Sequence, residues 1–479
     1  SMLVRETHPT LQIGILRMQS RGIEVVTTIL KPSTTSGIKI PGNGNGLPEE
    51  LMPLKSHHNV SHHKSDLLDL VLVILPNLAL ENPTMYYGLG ILYLAAVIKE
   101  RTKFSLEVID MRAGIKPIPV SRYVGFSCTT PEIAYAKKLL PVVKKMGATT
   151  ICGGVHPTIM PEDCLDFDYV IRGEAEDILP EIIFGSYRYS KVIECARIED
   201  LDSLPLPAWD VISNPFSEDL FFGERYGKSY PAASIITSRG CPYNCSFCSN
   251  MLRHPVIFRS PDSIEAEIRE LIKMGVYHYR FVDDNFTLHP RFQKVCVMLS
   301  KYNIQYRCHT RSNLMNEERA GLLKMSGCVE CSLGVESADP EVLRINNKKE
   351  SPGAHGKAIK ILQDAGIRVK VYLMSGLPGE TDNSVVLTKA FMEQYKPDRW
   401  TLSTFSPYPG CDIFIHPDKY GVTIVNKDCS NWWNFVMPVK GKELPGREGF
   451  VYTLDGQTRE ELGERHNRFD SWLKEDKWK

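Results

Sequence analysis

The sequence lacks three features, each of which would have assigned the protein to a broad class. No apolar run reaches the ~18 residues that a membrane-crossing helix needs, and the longest, Leu67 to Leu80, is interrupted by Asp69, Pro76 and Asn77. The N-terminus shows no charged segment followed by an apolar one, so no secretory leader is indicated. Lys and Arg together number 57, as do Asp and Glu, which leaves no basic excess for general nucleic-acid binding. We therefore expect a cytoplasmic protein with no membrane span and no nucleic-acid partner.

The composition is that of a globular protein with many thiols. A chain of 479 residues with 43% hydrophobic and 24% charged residues has the size of two or three domains and an ordinary balance for a folded protein. Its 13 cysteines are an odd number, so they cannot all pair within one chain. Without a secretory leader, such cysteines are better interpreted as metal ligands and buried thiols than as a disulfide framework.

Residues 1–66 are predicted to be an N-terminal extension and linker. Leu11–Leu16 and Ile23–Leu30 alternate apolar and polar residues as two strands would. Residues 31–66 are rich in Pro, Gly, Ser and Asn, which is typical of a linker. The linker also contains His57, His58, His62 and His63. Paired histidines can bind a metal, but no framework of Cys or carboxylate residues accompanies them, which favours solvated side chains.

Residues 67–185 alternate short strands with helices, which predicts a doubly wound, Rossmann-like parallel sheet. We expect strands at Leu70–Leu75, Leu106–Ile109, Tyr123–Cys128, Thr149–Cys152 and Asp168–Ile171. Ligands of such sheets lie at the carboxyl ends of the strands. Several of these ends contain glycine, which lets a backbone approach a flat or bulky ligand closely.

A second α/β series follows a connector at residues 186–230. Six strand–helix units within residues 231–410 are too few for a closed eight-fold barrel and predict an open, partial (β/α)6 TIM-type barrel. Residues 411–479 are predicted to form a small C-terminal region on the substrate side. Its Trp432, Trp433 and Phe435 would either cover the substrate entrance or lie in the core.

The loop after the first strand of this second series is the most informative stretch of the chain. Cys241, Cys245 and Cys248 follow one another at the spacing C-x3-C-x2-C, in a segment that also contains Gly, Pro and Asn. Thiolates at this spacing can bind three corners of a cubane iron–sulfur cluster and leave one iron open. A structural zinc site fits less well because it normally takes four protein ligands. The alternative is three ordinary buried thiols, which seldom fall in such a loop.

This loop, with Phe247 directly before its third cysteine, resembles the radical S-adenosylmethionine (SAM) superfamily. The resemblance spans about residues 231–410 and implies a [4Fe-4S] cluster whose open iron binds the amino and carboxylate groups of SAM. One electron from the cluster would then cleave SAM to methionine and a 5′-deoxyadenosyl radical, which abstracts hydrogen from the substrate. A partial six-unit barrel also matches that family.

Residues at four other strand ends resemble SAM contacts of the same family. Asp283, Asp284 and Asn285 stand where the family holds the SAM amino group, and Arg311 follows the third strand, where it could meet the SAM carboxylate. Each of these residues could instead be a strand-end cap or turn, but their shared location at one end of a barrel favours a common site.

Two further positions extend the same resemblance to the nucleoside part of SAM. Glu336, after the fourth strand, resembles the family's ribose-binding acid. Gly376 and Glu380 lie in a loop, residues 374–380, that resembles the adenine-side loop. Cys328 and Cys331 are spaced C-x2-C, but they lead into an apolar strand without a partner pair, so we expect buried thiols rather than a second cluster.

The segment at about 67–185 resembles the cobalamin (B12)-binding domain that precedes many radical SAM domains. The matching pieces are Met85-Tyr86-Tyr87-Gly88-Leu89-Gly90, Gly125-Phe126-Ser127, Gly153-Gly154-Val155-His156-Pro157 and Arg172-Gly173-Glu174-Ala175-Glu176. The resemblance implies that a corrin lies over these strand ends. The predicted cofactor contacts are Gly125, Ser127, Gly153, Gly154, His156, Gly173 and Glu174. His156 beside Pro157 also fits a plain helix start.

The chain departs from the cobalamin domains that ligate cobalt by the histidine of D-x-H-x-x-G. The corresponding segment, Asp110 to Gly114, has no histidine at that position. This departure implies cobalt without a protein histidine on that face, and it equally allows a domain that has lost cobalamin.

Four functions are compatible with these observations. The first is a cobalamin-dependent radical SAM methyltransferase that acts on an unactivated centre. The second is an enzyme of the same architecture that catalyses a non-methylating rearrangement, cyclisation or oxidation, with or without cobalamin. A methylthiotransferase is disfavoured because residues 1–180 lack a second cysteine triad, and a non-catalytic iron–sulfur or nucleotide-binding module is the fourth. We expect a small-molecule, peptide or lipid-precursor substrate and a reducing partner such as flavodoxin or ferredoxin.

Overall fold

The computed structural model describes most of the chain. The described residues are 13–20, 23–30, 67–76, 88–112, 114–212, 216–219, 230–249, 254–428, 432 and 449–475. The predicted linker with its four histidines lies outside these residues, as do Met85 to Tyr87, Trp433 and Phe435. The chain divides into two compact units, residues 1–48 and 49–479.

The first unit contains an antiparallel hairpin. Strands β1 (Ile13–Ser20) and β2 (Ile23–Leu30) pair in register from Ile13 opposite Leu30 to Ser20 opposite Ile23. Both predicted strands are therefore present, although the first runs four residues beyond the predicted Leu16.

The second unit begins with a six-stranded parallel sheet. Its strand order is β4-β3-β5-β6-β7-β8, so the direction of winding reverses at β3. The strands are β3 (Leu68–Ile74), β4 (Leu106–Asp110), β5 (Ser121–Ser127), β6 (Thr149–Gly153), β7 (Tyr169–Arg172) and β8 (Val192–Glu194). The helices are α1 (Leu89–Arg101), α2 (Ile133–Lys145), α3 (Val155–Ile159) and α4 (Ile178–Phe184). This arrangement is the predicted doubly wound sheet.

Both faces of this sheet are covered, which explains the apolar run in its central strand. Alternate residues of β3 enter two different cores: Leu70 and Leu72 pack with α1 and α4, whereas Val71 and Val73 pack with α2. Strand β8 was not predicted, because it has three residues and no readable periodicity.

The second sheet is an open half-barrel. Its order is β17-β16-β15-β14-β13-β10-β9, with six parallel strands and β9 antiparallel at the edge. The strands are β9 (Ser217–Asp219), β10 (Tyr230–Ile235), β13 (His278–Phe281), β14 (Gln305–Thr310), β15 (Cys328–Glu336), β16 (Arg368–Ser375) and β17 (Arg399–Thr404). A short pair, β11 (Ser238–Arg239) and β12 (Ile257–Phe258), follows β10. The predicted partial (β/α)6 barrel is confirmed.

Helices line the outer face of the half-barrel. They are α5 (Pro261–Lys273), α6 (Phe292–Leu299), α7 (Glu317–Met325), α9 (Pro352–Asp364) and α10 (Asp382–Tyr395). The short helix α8 (Pro340–Ile345) packs instead in the core of the C-terminal region. Helix α5 begins as its sequence predicts: the Ser260 hydroxyl accepts the Ser263 N–H at 3.1 Å, and Pro261 occupies the first helical position. None of the described helices is long and apolar enough to cross a lipid bilayer.

The C-terminal region packs beside the carboxyl edge of the half-barrel. It contains α11 (Asp412–Ile415), the antiparallel strands β18 (Val422–Ile424) and β19 (Tyr452–Leu454), and α12 (Arg459–Lys474). Trp432 is only 1% exposed and packs in one core with Phe405 and Tyr452. Of the two predicted roles for Trp432, the structure supports the core residue.

Candidate active site

The cysteine loop leaves the carboxyl end of β10 and is tied to the opposite side of the half-barrel. Cys245 is buried, whereas Cys241 and Cys248 are partly exposed, and all three are free thiols. The Ser246 N–H donates to the carbonyl of Asn346 at 3.0 Å, and the Ser246 hydroxyl donates to the Asn346 side chain at 3.1 Å. Ser246, the first of the two residues between the second and third cysteines, is thus bonded to a residue 100 positions away along the chain.

Two side chains from neighbouring strand ends donate to the loop sulfurs. Asn285 Nδ2 lies 3.4 Å from Cys241 Sγ, and Arg311 Nη1 lies 3.5 Å from Cys245 Sγ. N–H donors stabilise thiolate sulfur, the form that ligates iron. Within the described ranges, no three His, Cys, Asp or Glu side chains converge as a single metal ion requires. A cubane bonds each of its cysteines to a different iron atom, and three loop thiols with N–H donors beside two of them fit such a cluster.

Asp283, just after β13, accepts hydrogen bonds from the residues at the start of the cysteine loop. Its Oδ1 accepts the Thr237 N–H at 2.9 Å, the Thr237 hydroxyl at 2.8 Å and the Ser238 hydroxyl at 2.7 Å. Burial raises the pKa of this carboxyl to about 6. Its other oxygen is buried and has no hydrogen-bond partner among the described residues. Asp284, by contrast, is exposed.

Arg311 belongs to a buried ion cluster that also contains Glu336, Lys348 and Glu350. The Lys348 ammonium lies 3.2 Å from Glu336 and 3.6 Å from Glu350, and Arg311 lies 3.1 Å from Glu350. The Arg311 guanidinium also stacks 3.9 Å over the Tyr243 ring, inside the cysteine loop. A chain of alternating charges therefore runs from the end of β15 to the cysteine loop.

Lys348 remains an ammonium in this cluster. Burial, the largest single influence, would lower its pKa, but the combined attraction of Glu336 and Glu350 raises it. Glu336 itself has a φ of 64°, a left-handed conformation that a non-glycine residue adopts only when its surroundings hold it there. The ammonium of Lys348 also lies 5.9 Å from the centre of the Phe247 ring.

Sequence reasoning found Arg311 and Glu336 but missed Lys348 and Glu350. Both lie in the polar run Asn346 to Glu350 directly after α8, where a run of charges is usually solvated. The only local signal was the position of this run beside the carboxyl edge of the predicted barrel.

The loop with Gly376 and Glu380 lies under the C-terminal region. The Glu380 carboxylate accepts the Gly376 N–H at 3.0 Å, and burial raises its pKa to about 7. Gly376 has a φ of 85°, and a Cβ there would lie 2.3 Å from the Phe450 ring. The Tyr452 hydroxyl donates to the Gly376 carbonyl. The contacts of Gly376 and Glu380 described here are all with protein groups. The contact of this loop with adenine therefore stays a prediction.

The predicted cobalamin edge of the first sheet is built from close backbone contacts. Gly154 has a φ of 101°, and a Cβ there would lie 2.8 Å from the Cys128 nitrogen; Gly173 has a φ of 98° and would meet the Cys195 carbonyl at 3.0 Å. A Cβ on Gly125 would lie 2.8 Å from Leu72, whereas one on Gly153 would make an ordinary contact. Ser127 ends β5 at the same edge.

The His156 side chain is buried, and both of its ring nitrogens lie close to other protein groups. It is 1% exposed, its Nδ1 lies 3.3 Å from the Thr130 hydroxyl, and its Nε2 lies 3.0 Å from an Asp163 carboxylate oxygen. Both ring nitrogens thus have protein partners, which favours the helix-start interpretation over a cofactor contact. Glu174 likewise has protein partners: Arg197 at 2.9 Å and Arg239 at 2.7 Å.

The remaining thiols of the half-barrel are buried in its core. Cys308 Sγ lies 4.0 Å from both Cys328 Sγ and Cys331 Sγ, and all three side chains face the helices. The expectation that Cys328 and Cys331 are buried thiols is confirmed.

Two family profiles match the chain across these two sheets. Residues 235–392 match the radical SAM superfamily, and residues 83–183 match the B12 binding domain. The chain is a radical SAM enzyme with a B12-binding domain. The first match includes the cysteine loop and the second includes the glycine-rich edge, so the radical SAM domain implies a [4Fe-4S] cluster and SAM, and the B12-binding domain implies cobalamin.

Relatives of this radical SAM enzyme are named for two kinds of reaction. An uncharacterised methyltransferase of Pyrococcus horikoshii is 28% identical over 366 residues, which cover 68% of this chain and 77% of that protein. An anaerobic magnesium-protoporphyrin IX monomethyl ester cyclase of Rubrivivax gelatinosus is 26% identical over 351 residues, which cover 66% of this chain and only 61% of the cyclase.

A solved structure shares the fold of both sheets. TsrM, a radical SAM methyltransferase from Kitasatospora setae whose structure holds cobalamin and a [4Fe-4S] cluster, matches with a TM-score of 0.58. The match covers 80% of this chain and 81% of TsrM at 17% sequence identity. At this identity the likeness shows the architecture alone.

Proposed function

We propose that the protein is a cobalamin-dependent radical SAM methyltransferase that acts on an unactivated centre of its substrate. The observation that carries this proposal is the cysteine loop at the carboxyl edge of the half-barrel, in a chain that also contains a B12-binding sheet. When bound, the cluster supplies the electron that cleaves SAM to a 5′-deoxyadenosyl radical, and cobalamin supplies the methyl group for the substrate.

The residues around the cysteine loop would hold the cluster and SAM. Cys241, Cys245 and Cys248 would ligate three irons, with Asn285 and Arg311 donating hydrogen bonds to two of the sulfurs at the distances given above. A guanidinium is always protonated, so Arg311 offers positive charge to the sulfurs and to a carboxylate alike.

Three acids and the Lys348 ammonium would complete this site. Asp283 and Asp284 would attract the SAM amino group, and Asp283 also fixes the shape of the loop through Thr237 and Ser238. Glu336 would receive the ribose hydroxyls. The Lys348 ammonium neutralises Glu336 and thereby makes a buried carboxylate tolerable beside the cluster.

The glycine-rich edge would receive the corrin without a histidine ligand. Where the histidine-ligating pattern has its histidine, this chain has Arg112, whose Nε and Nη2 bind the two oxygens of Asp110 at 2.9 and 2.7 Å. A guanidinium has no lone pair to give to cobalt. We assign residues 67–185 to the B12-binding domain, 186–230 to the connector, 231–410 to the radical SAM barrel and 411–479 to the substrate-side region. The connector is not purely a link, because it adds β8 to the first sheet and β9 to the half-barrel.

A second function is supported by the cyclase relative. An enzyme of the same architecture could use the radical for a rearrangement, cyclisation or oxidation without transferring a methyl group. In either case we propose a small molecule, peptide or lipid precursor as substrate, a flavodoxin or ferredoxin as electron donor, and the cytoplasm as the location.

Anaerobic reconstitution tests whether the chain binds the cobalamin that the methyltransferase requires and on which the second function does not depend. The chain is incubated with iron, sulfide and hydroxocobalamin, passed through gel filtration, and analysed for iron, cobalt and visible absorption. Near-stoichiometric cobalt beside one cluster supports the methyltransferase. Iron and deoxyadenosine formation without cobalt would overturn it in favour of the second function.

A further inference from the structure

Arg239, two residues before Cys241, is held by two carboxylates of the B12-binding domain. Its Nη1 lies 2.7 Å from Glu174 Oε1, and its Nη2 lies 2.8 Å from Glu176 Oε1. The Arg239 side chain is 12% exposed, and those of the two acids are 4% and 6% exposed. Both terminal nitrogens of the guanidinium thus pair with residues that follow β7 of the other sheet.

The acids are themselves fixed in direction. Glu174 Oε2 accepts the Arg197 Nε–H at 2.9 Å and the Ile198 N–H at 2.8 Å, so both oxygens of this carboxylate have partners. Arg197 also donates to the Arg239 carbonyl at 3.4 Å. Below the guanidinium, the ring of Tyr93 from α1 lies 5.2 Å from its central carbon.

The chemistry of this arrangement favours one geometry. A guanidinium is planar and rigid, so two carboxylates on its two ends fix its orientation as well as its position. A guanidinium stays protonated in proteins, so both contacts are ion pairs. Removing one partner of such a buried pair leaves an uncompensated charge, which is costly. The end of β7 and the start of the cysteine loop therefore cannot shift independently without breaking charged hydrogen bonds.

We propose that Arg239, Glu174 and Glu176 form a positioning link that fixes the cysteine loop against the B12-binding sheet. What the link positions rests on the proposed function: the cluster-binding loop and the cobalamin edge would be held at one separation. The link itself is a property of the folded chain. It gives Glu174 a different role from the corrin contact that the resemblance implied.

Hydrogen–deuterium exchange on the chain without cofactors tests the link directly. Glu176→Gln removes one charged pair with Arg239. Asp177→Asn is the matched control, because the Asp177 carboxylate pairs with Arg101 of its own domain, at 2.8 Å. We expect amides in peptides covering 238–248 to exchange at least about tenfold faster in Glu176→Gln, the ratio that loss of one charged hydrogen bond gives. The control should leave them unchanged. Equal exchange in the two variants would overturn the proposal.

A second readout separates positioning from plain stability. Arg239→Lys keeps the charge but loses the two-ended geometry, so it should bind the same iron per chain as the wild type yet give a broadened electron paramagnetic resonance signal from the reduced cluster. A merely stabilising pair would lower the melting temperature and leave the line shape unchanged, and that result would contradict positioning. If the wild type bound no iron, the proposed function would fail, whereas the exchange result would still decide the link.

Discussion

The carboxyl edges of the two parallel sheets are built from different groups. At the first sheet, glycines allow neighbouring loop segments to pack closely, and a Cβ on Gly154 would lie 2.8 Å from the backbone nitrogen of Cys128. At the half-barrel the same kind of edge is filled by side chains, including the buried ions Arg311, Glu336 and Lys348. Two parallel sheets thus form their carboxyl edges differently, one from close backbone contacts and the other from charged side chains.

The two edges differ in what they tolerate. The glycines of the first edge serve its own packing, because a Cβ on Gly125, Gly154 or Gly173 would meet other protein atoms at 3.0 Å or less. A metal cluster and a zwitterion need donors and opposite charges, which must be paired to be buried. We therefore expect the first edge to be sensitive to added volume and the second to removed charge.

Removing the thiols should have the largest effect. Changing Cys241, Cys245 and Cys248 together to Ala should abolish the brown absorption at ~400 nm, all bound iron and SAM cleavage, because these are the three thiols proposed to ligate the cluster. The measurements are iron analysis and deoxyadenosine formation. In the control, Cys328→Ala with Cys331→Ala, the iron content should not change; a loss of about four irons per chain would reveal a second cluster.

Removing the charge of Lys348 tests the charged edge. Lys348→Met leaves Glu336 and Glu350 buried without their shared cation, which should lower the free energy of unfolding by about 3–5 kcal/mol. Urea denaturation measures this loss. Lys419→Met removes an exposed ammonium paired with Asp412 and should leave the midpoint unchanged. If both variants unfold alike, the buried cluster does not stabilise the half-barrel.

Adding volume tests the backbone edge. Gly154→Ala combines a strained positive φ with a contact too short for any Cβ, and we expect a loss of about 2–4 kcal/mol in unfolding free energy. Gly90→Ala is the control in the same domain, because it lies in α1 with nothing within 4 Å. That variant should be neutral or stabilised by up to about 1 kcal/mol. Similar losses at both glycines would contradict the packing argument.

The smallest effect is a pH dependence at Glu380. The folded pKa of about 7 exceeds the ordinary value of 4.5, so the folded chain holds this proton more tightly than the unfolded chain. Stability that is present below pH 4.5 should therefore be lost as the pH rises to 7, by at most about 3 kcal/mol. Glu380→Gln should flatten this part of the stability curve measured by urea denaturation from pH 5 to 8. An unchanged slope would show that Glu380 ionises normally.

The fold was readable from local patterns. Strands β3 to β7 and the six strands of the half-barrel lie within a few residues of their predicted positions. Their apolar residues either run continuously, as in β3, or alternate with polar ones, as in β16. Strands β8 and β9 were missed because each has three residues, too few for a periodicity to show. The Ser260-Pro261 helix start was readable because capping involves neighbours in sequence.

The candidate site was readable only in part. The cysteine spacing is a local pattern, so it identified the loop without knowledge of the fold. Glu350 gave no such signal, because its partner Arg311 lies on another strand end and only folding brings them to 3.1 Å. The sequence showed that His156 beside Pro157 fits a helix start, but its partner Asp163 could not be named.

The sequence alone determined the type of chemistry and the two α/β architectures, since both depend on residue types and on spacings within short segments. Only the tertiary structure decided which charges meet. Glu174 and Arg239 are 65 positions apart, and nothing in either segment indicates that their side chains pair. Ion pairs between distant segments depend on the packing of two sheets, which is a property of the whole folded chain.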